Sequence, residues 1–352
     1  KTPIMRAVKA AERRLWEEQQ SKSYVGLLGD PTFTEALRDL VFGDAVSEDR
    51  VAAAQTPGGT GAVHQLFEFV RRASPDATFW LSEPTWPNHA TILKHLGYPF
   101  RTYRYFDRNT LGVDFDGMTE DLRGAAPGDV VLVHGCCHNP TGANLDLEQW
   151  KALTEIVNEN GLLPMIDLAY QGFGDGLDAD VVGLRYMAAN TPEMLLAASC
   201  SKNFGVYRDR VGVAFAVGDA ANTAVTKGNL AALNRSNYSF PPDHGAKVVS
   251  IVLNDPDLRT DWMNELESMR LRMLDLRQGL ADALRRETNS DRFDFIVHHR
   301  GMFSLLGLEP DQVVKMREKF GVYIVGDSRI NIAGLPADGL ESIAKGLVSV
   351  ES

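Results

Sequence analysis

Lys202 lies in the run Ser199-Cys200-Ser201-Lys202-Asn203-Phe204-Gly205, directly after an apolar stretch that reads as a buried strand, with Arg210 shortly downstream. A lysine at the end of such a strand is partly desolvated, which lowers its pKa and makes the neutral amine a nucleophile toward a carbonyl. The hydroxyls of Ser199 and Ser201 and the guanidinium of Arg210 suit a phosphate beside it. A surface lysine in a serine-rich loop is the commoner reading of such a stretch. Ser199 and Lys202 also match a Ser-x-x-Lys acylation motif. The Ser-Asp-Asn and Lys-Thr-Gly strings that such enzymes require are absent from the sequence.

Thr56-Pro57-Gly58-Gly59-Thr60-Gly61 leads into a helical pattern at Ala62. Glycines let the backbone approach an anion, and free N–H groups at a helix start point toward it. An ordinary glycine turn fits equally well, and the string is neither a Walker loop nor a dinucleotide fingerprint. Gly174-Asp175-Gly176 lacks the acidic residue that a dinucleotide site needs, and reads as a loop. In Ile166-Asp167-Leu168-Ala169-Tyr170, Asp167 interrupts an apolar strand, where an acid is costly unless paired. A pyridinium nitrogen would be one such partner; a buried arginine or a helix N-cap are others. Tyr170 could reach the same ligand.

His134-Gly135-Cys136-Cys137-His138-Asn139-Pro140-Thr141-Gly142 invites a zinc reading. In extended backbone, however, adjacent Cys136, Cys137 and His138 point to opposite faces, and no second pair has metal-site spacing, so no metal is expected. Asn139-Pro140-Thr141-Gly142 instead makes a turn at a strand's C-terminal end, where parallel sheets bind ligands. In Pro84-Thr85-Trp86-Pro87, two prolines hold Trp86 in a rigid turn, where it could stack on a flat ligand or simply be half-buried. Arg235 and Arg329 could each form a surface ion pair. Together they could hold two carboxylates, because the planar guanidinium makes bidentate pairs.

The elements that must position these groups follow from periodicity. Thr78–Leu81, Val130–His134, Leu163–Leu168, Leu195–Ser199 and Val211–Val217 read as buried strands, with helical stretches such as Ala62–Arg72 and Glu148–Asn160 between several of them. That alternation predicts an α/β fold with a largely parallel sheet covered on both faces. The texture changes after Asn254. Asp257–Glu287 carries a helical apolar stripe of Trp262, Leu266, Met269, Met273, Leu276, Leu280 and Leu284. Short strands are predicted at Phe293–Val297, Met302–Leu305 and Arg329–Ile332, and a helix at Pro310–Phe320. This predicts a large domain over 1–268 and a smaller α+β domain over 269–352. At 352 residues the chain is long for one core. Ile4–Gln19 reads as a helix, with Pro3 suited to its first turn, and the natural chain is expected to begin earlier.

With 36 basic and 47 acidic residues, net charge is -11, which disfavours nucleic acid as a partner. No apolar run approaches the roughly 20 residues of a membrane span. Three cysteines, two of them adjacent, do not make a disulfide framework and predict a reducing, cytoplasmic setting.

The order of TPGGTGA, PTWPNH, HGCCHNPTG, DLAYQGF, SKNFG with its following Arg210, and RINIAG resembles the aspartate/aromatic branch of class I aminotransferases across essentially the whole chain. RYFD, CSKNFG, YSFPP and GDSRINIAGL look closest to the bacterial aromatic-amino-acid members. The resemblance implies fold type I, with a mostly parallel seven-stranded sheet in the large domain and a small domain that closes over substrate. It also implies pyridoxal 5'-phosphate held by Lys202 as an imine, Lys202 then shuttling a proton. Asp167 would pair with the ring nitrogen, with His89 and His134 supporting it. Tyr170 and Asn139 would bond the phenolic oxygen, and Trp86 would stack on the ring. Gly58, Gly59, Thr60, Ser199, Ser201 and Arg210 would hold the phosphate, with Tyr24 reaching it from the other subunit of a homodimer. Arg329 would bind the substrate α-carboxylate, and Arg235, across the interface, the distal carboxylate of dicarboxylic substrates; Trp86 and Asn139 would also face substrate. The implied reaction moves amino groups from aromatic amino acids, and aspartate, to 2-oxoglutarate by a ping-pong mechanism. An aspartate-preferring enzyme is the alternative, and a decarboxylase or lyase of the same fold a further one. A catalytically silent regulatory module of this fold would need a DNA-binding domain, for which there is neither length nor basic charge. Phe240 stands where aspartate-specific relatives usually carry asparagine, which tilts the expectation toward aromatic side chains. A segment before Lys1 that embraces the partner subunit is also implied.

Overall fold

The computed structural model describes residues 4–351; Pro3 lies outside them. Among the described residues there are eleven strands: β1 (Val51–Pro57), β2 (Phe79–Glu83), β3 (Phe100–Arg104), β4 (Phe106–Asp107), β5 (Gly112–Val113), β6 (Val130–His134), β7 (Leu163–Leu168), β8 (Met194–Ser199), β9 (Val211–Val217), β10 (Phe303–Leu305) and β11 (Arg329–Asn331). A seven-stranded sheet takes the order β1-β9-β8-β7-β6-β2-β3. β9 runs antiparallel to both β1 and β8, and the other pairings are parallel. The expected mostly parallel α/β architecture is therefore present.

Both faces of this sheet are covered. Along β6, Val131 and Val133 pack into one apolar cluster while Val130 and Leu132 pack into the other. Alternate side chains of a strand point to opposite faces, so a strand buried on both sides reads as a continuous apolar run. β6, β8 and β9 are buried along their whole lengths. The helix Gly58–Ala73 packs Leu66, Phe67 and Val70 on one of these faces.

The long helix Pro256–Thr288 starts at Asp255, whose carboxylate accepts the N–H groups of Asp257 and Leu258, and ends at Asn289 in left-handed conformation. Asp side chains at the N-cap satisfy donors that the first turn leaves unpaired. Its stripe of Trp262, Leu266, Met273, Leu276, Leu280 and Leu284 is buried as expected, with Met269 half-buried beside it. The predicted domain boundary after residue 268 falls within this helix, which runs unbroken.

Several elements differ from expectation. Phe293–Val297 is no strand: Phe295–His298 is a short helix, and the buried residues Phe293 and Ile296 are three apart, a helical rather than alternating spacing. The first helix spans Arg6–Glu18 rather than Ile4–Gln19. The helix Pro310–Phe320 forms as predicted, and β10 and β11 pair as an antiparallel ribbon that sets Leu305 opposite Arg329.

Candidate active site

One edge of the sheet gathers the chemistry. β1 ends at Pro57 before Gly58, β6 at His134 before Asn139, β7 at Leu168 beside Asp167 and Tyr170, and β8 at Ser199 before Lys202. Arg210 immediately precedes β9, which enters from the same edge because it is antiparallel. Gly59, Thr60, Trp86, Asn139, Asp167, Tyr170, Ser199, Lys202 and Arg210 line a single cavity together with His134 and Ala169. Residues spread over the sequence thus converge because parallel strands deliver their C-terminal ends to one crevice.

At the floor lies a buried chain of polar groups. His89 Nε2 is 3.0 Å from Asp167 Oδ2, and His89 Nδ1 is 2.8 Å from Thr85 Oγ1. The Asp167 carboxylate can only accept, so Nε2 donates to it, and the Thr85 hydroxyl meets Nδ1. Burial pushes the Asp167 carboxyl up, but the bond from His89 and the nearby His89, His134 and Lys202 outweigh it and hold the group below its ordinary value. His134 is buried with neither ring nitrogen bonded among the described residues, and burial lowers it to about 3. A neutral imidazole with two unmet hydrogen-bonding positions, beside an ionised carboxylate, fits a polar ligand above it.

The Lys202 Nζ lies 4.8 Å from the centroid of the Tyr170 ring. Burial lowers the Lys202 pKa, opposed by Asp167 and reinforced by Arg210. Burial raises the Tyr170 hydroxyl, so it stays a proton donor. Arg329 Nη1 donates to Asn139 Oδ1 at 2.8 Å, its guanidinium stands 4.9 Å from the Phe303 ring centroid, and its buried Nε has no partner among the described residues.

The helix Gly58–Ala73 starts at Pro57, which supplies no side-chain cap. Its first N–H groups are therefore open to an anion, and Arg210 and Ser199 stand beside them. Gly58 has φ 77, and a Cβ there would lie 2.6 Å from an Arg210 nitrogen; one on Gly59 would meet Ser199 Cβ at 2.7 Å. Ser201 is buried next to this cradle, its N–H donating to Ser199 Oγ at 3.2 Å. These donors fit the phosphate, and Asp167 with the neutral His134 fits the ring, of pyridoxal phosphate.

Two predicted residues lie apart from the cavity. Tyr24 is 82% exposed and stacks on Phe240 with centroids 4.6 Å apart. Arg235 is exposed, stands 5.6 Å from the same Phe240 ring, and donates to Ser239 Oγ at 2.6 Å. The two residues expected to act across a subunit interface thus share one exposed cluster. Thr85 and Phe303 were not singled out by the sequence reading. Thr85 sits in the quoted PTWPNH string, whereas Phe303 reaches Arg329 only through the pairing of β10 with β11.

The expected divergence of Cys136 and Cys137 is wrong. Cys137 has φ 49, so the backbone there is not extended, and the two thiols lie close enough to share a hydrogen bond. The Gly174–Gly176 loop has its Gly174 N–H bonded to Asp180 Oδ2.

The family model for class I and II aminotransferases matches residues 1–347. The aromatic-amino-acid aminotransferase of Paracoccus denitrificans is 54% identical over 350 residues, covering 99% of this chain and 89% of that protein. The aspartate aminotransferase of Salmonella typhi is 42% identical over 354 residues, with 99% and 89% covered. The structure of an aromatic-amino-acid aminotransferase from Burkholderia pseudomallei covalently bound to pyridoxal phosphate superposes with a TM-score of 0.97 at 38% identity, covering 99% of this chain and 89% of that one.

Proposed function

The chain belongs to the class I and II aminotransferases, a pyridoxal-phosphate-dependent family, and from that premise we propose that it transfers amino groups from aromatic amino acids, and from aspartate, to 2-oxoglutarate in a ping-pong cycle anchored on Lys202. The observation that carries this reading is the convergence of a partly desolvated Lys202, an ionised Asp167 and an uncapped helix start in one cavity. When bound, pyridoxal phosphate supplies an aldehyde that captures an amino group and a ring that accepts electrons from the α-carbon.

The protein's groups then divide the work. Lys202 Nζ, its pKa lowered by burial, has a neutral fraction able to bond the aldehyde and later to carry a proton from the α-carbon. Asp167, held ionised by His89, accepts a hydrogen bond from the protonated ring nitrogen. Tyr170 and Asn139 would hold the ring oxygen of the bound cofactor, and Trp86 would stack on the ring. The amides at Gly58, Gly59 and Thr60, with Ser199, Ser201 and Arg210, hold the phosphate, joined by Tyr24 from a partner subunit in a homodimer. Arg329 exchanges its bond with Asn139 for the substrate α-carboxylate. Arg235, from the partner, meets the distal carboxylate of aspartate or 2-oxoglutarate and turns away for an aromatic ring. Closure of 269–352 over 1–268 excludes water. Three free cysteines support a cytoplasmic setting, and the acidic balance argues against nucleic acid. Among the described residues no helix is long and apolar enough to cross a membrane.

The second reading is an aspartate-preferring enzyme, favoured by the retained Arg235. To decide, the protein loaded with pyridoxal phosphate is mixed with L-phenylalanine or L-aspartate without keto acid, and the cofactor's visible band is followed. The faster donor names the preference; no change with either removes both substrates. Arg235→Ala should cut aspartate turnover by about 100-fold or more, the scale of a lost charge pair of 2–5 kcal/mol, and leave phenylalanine within a few-fold. Equal losses would overturn the role given to Arg235.

A further inference from the structure

The turn that carries Asn139 also carries a group of side chains the amino-transfer reading does not use. The left-handed backbone at Cys137, φ 49, swings its side chain to the same side as that of Cys136. The two sulfurs and a carboxylate oxygen of Asp180 all lie within 4.8 Å of one another; both cysteines are buried and Asp180 is half-buried. Cys136 and Asp180 line a cavity of about 120 Å³, together with Leu147 and Val182. The latter two are 38% and 43% exposed, so the cavity has a route to solvent between them. His134 borders the same cavity with both ring nitrogens unbonded among the described residues.

We propose that Cys136, Cys137 and Asp180 form a binding site for a soft, thiophilic divalent cation such as Cd²⁺. The chemistry of the donor set supports this choice. Thiolates select soft d¹⁰ cations over hard ones such as Mg²⁺ or Ca²⁺. Zinc–sulfur bonds of about 2.3 Å put two tetrahedral sulfurs roughly 3.8 Å apart, a separation compatible with donor atoms that lie within 4.8 Å of one another. Asp180 takes part in no ion pair among the described residues; its Oδ2 accepts the N–H groups of Gly172 and Gly174, but Oδ1 accepts only that of Asp175. A carboxylate oxygen has two lone pairs, so Oδ1 keeps one for a cation.

Binding breaks two S–H bonds, releases two protons to solvent and forms two S–metal bonds, with no change of oxidation state. Both thiols must lose a proton to bind a cation. Occupancy therefore rises with pH. Without a cation the pair is neutral, which is how two buried thiols lie side by side at no charge cost.

The site does not rest on the amino-transfer reading, and its test needs no turnover. The holoenzyme is titrated with Cd²⁺ while thiolate-to-metal absorption is followed in the ultraviolet. One equivalent per chain should bind, with the signal lost in Cys136→Ser and in Cys137→Ser and kept in Cys200→Ser. Because a serine variant could fail to fold, wild-type holoenzyme is also treated with phenylarsine oxide, which condenses with two thiols to release one water. Peptide mapping should place a single bridging adduct on the peptide holding Cys136 and Cys137. No absorption change, a change that survives both serine variants, or an adduct absent from that peptide would each overturn the proposal.

Discussion

At the scale of single residues, Thr85 acts beyond the ring it touches. Its hydroxyl pairs with Nδ1 of His89, whose Nε2 donates to Asp167 and helps hold that carboxylate ionised. Thr85→Val keeps the shape but leaves Nδ1 buried and unbonded, a loss on the order of 1–2 kcal/mol. We expect kcat to fall roughly tenfold, with KM for the amino acid little changed and the pH dependence of the cofactor's absorption displaced. An unaltered absorption profile would show that Thr85 does not act through His89. Lys202→Ala should be far more severe, lowering kcat/KM by about 10³-fold or more, since on the proposed function it removes both the anchor and the proton carrier. Borohydride reduction followed by peptide mapping checks the same point in the wild type: the cofactor should be found on Lys202, and its recovery on another lysine would refute the anchor.

At the scale of elements, the cradle at the start of the helix Gly58–Ala73 depends on the absence of side chains. Gly58→Ala would force a Cβ into Arg210 and require a left-handed conformation that costs an alanine about 1 kcal/mol. The variant should bind pyridoxal phosphate at least tenfold more weakly, as equilibrium dialysis would measure, while its sheet and melting behaviour without cofactor stay close to wild type. The small ribbon has its own titration. His299 donates from Nε2 to the Leu111 carbonyl and accepts at Nδ1 from Ser304, and burial lowers it to about 4 from an ordinary 6.5. Its contribution to stability is fully present above about pH 6.5 and is lost as pH falls toward 4, because the unfolded ring takes up a proton that the folded one refuses. The loss approaches about 3 kcal/mol for His299 alone, so His299→Gln should unfold with a shallower pH dependence across that window; an unchanged slope would contradict it. These elements also mark what could be read in advance. β6 and β9 were legible because strands buried on both faces are unbroken apolar runs, and β7 because its run is broken by Asp167 alone among charged residues. β1 escaped notice because Val51-Ala-Ala-Ala-Gln55 carries alanines, which are depleted in strands, and its place is set by pairing with β9. Phe293–Val297 misled because a short apolar run fits either period. The approach of Cys136 and Cys137 turned on one left-handed residue, a conformation no side-chain pattern announces.

At the scale of the whole molecule, the site cavity and the exposed cluster of Tyr24, Arg235 and Phe240 are separate places on one chain. The family resemblance read in the sequence implies a site shared between subunits, and on that reading the geometry that joins the two places lies between chains. A hybrid experiment decides the matter. Lys202→Ala chains and Arg235→Ala chains are inactive on aspartate for different reasons, and can be unfolded together, refolded and separated as mixed dimers by charge tags. In a mixed dimer, one site lacks Lys202 and also faces the partner's missing Arg235. The other keeps its own Lys202 and receives Arg235 from the Lys202→Ala chain, so it is complete. The hybrid should therefore recover about half the aspartate turnover of a wild-type dimer, with a wild-type KM, because one of its two sites is intact and the two are independent. If Arg235 instead serves its own chain's site, every site in the hybrid lacks one group or the other. Mixing would then restore nothing. Failure to isolate any dimer would remove the shared site altogether and leave Arg235 without a role in substrate binding.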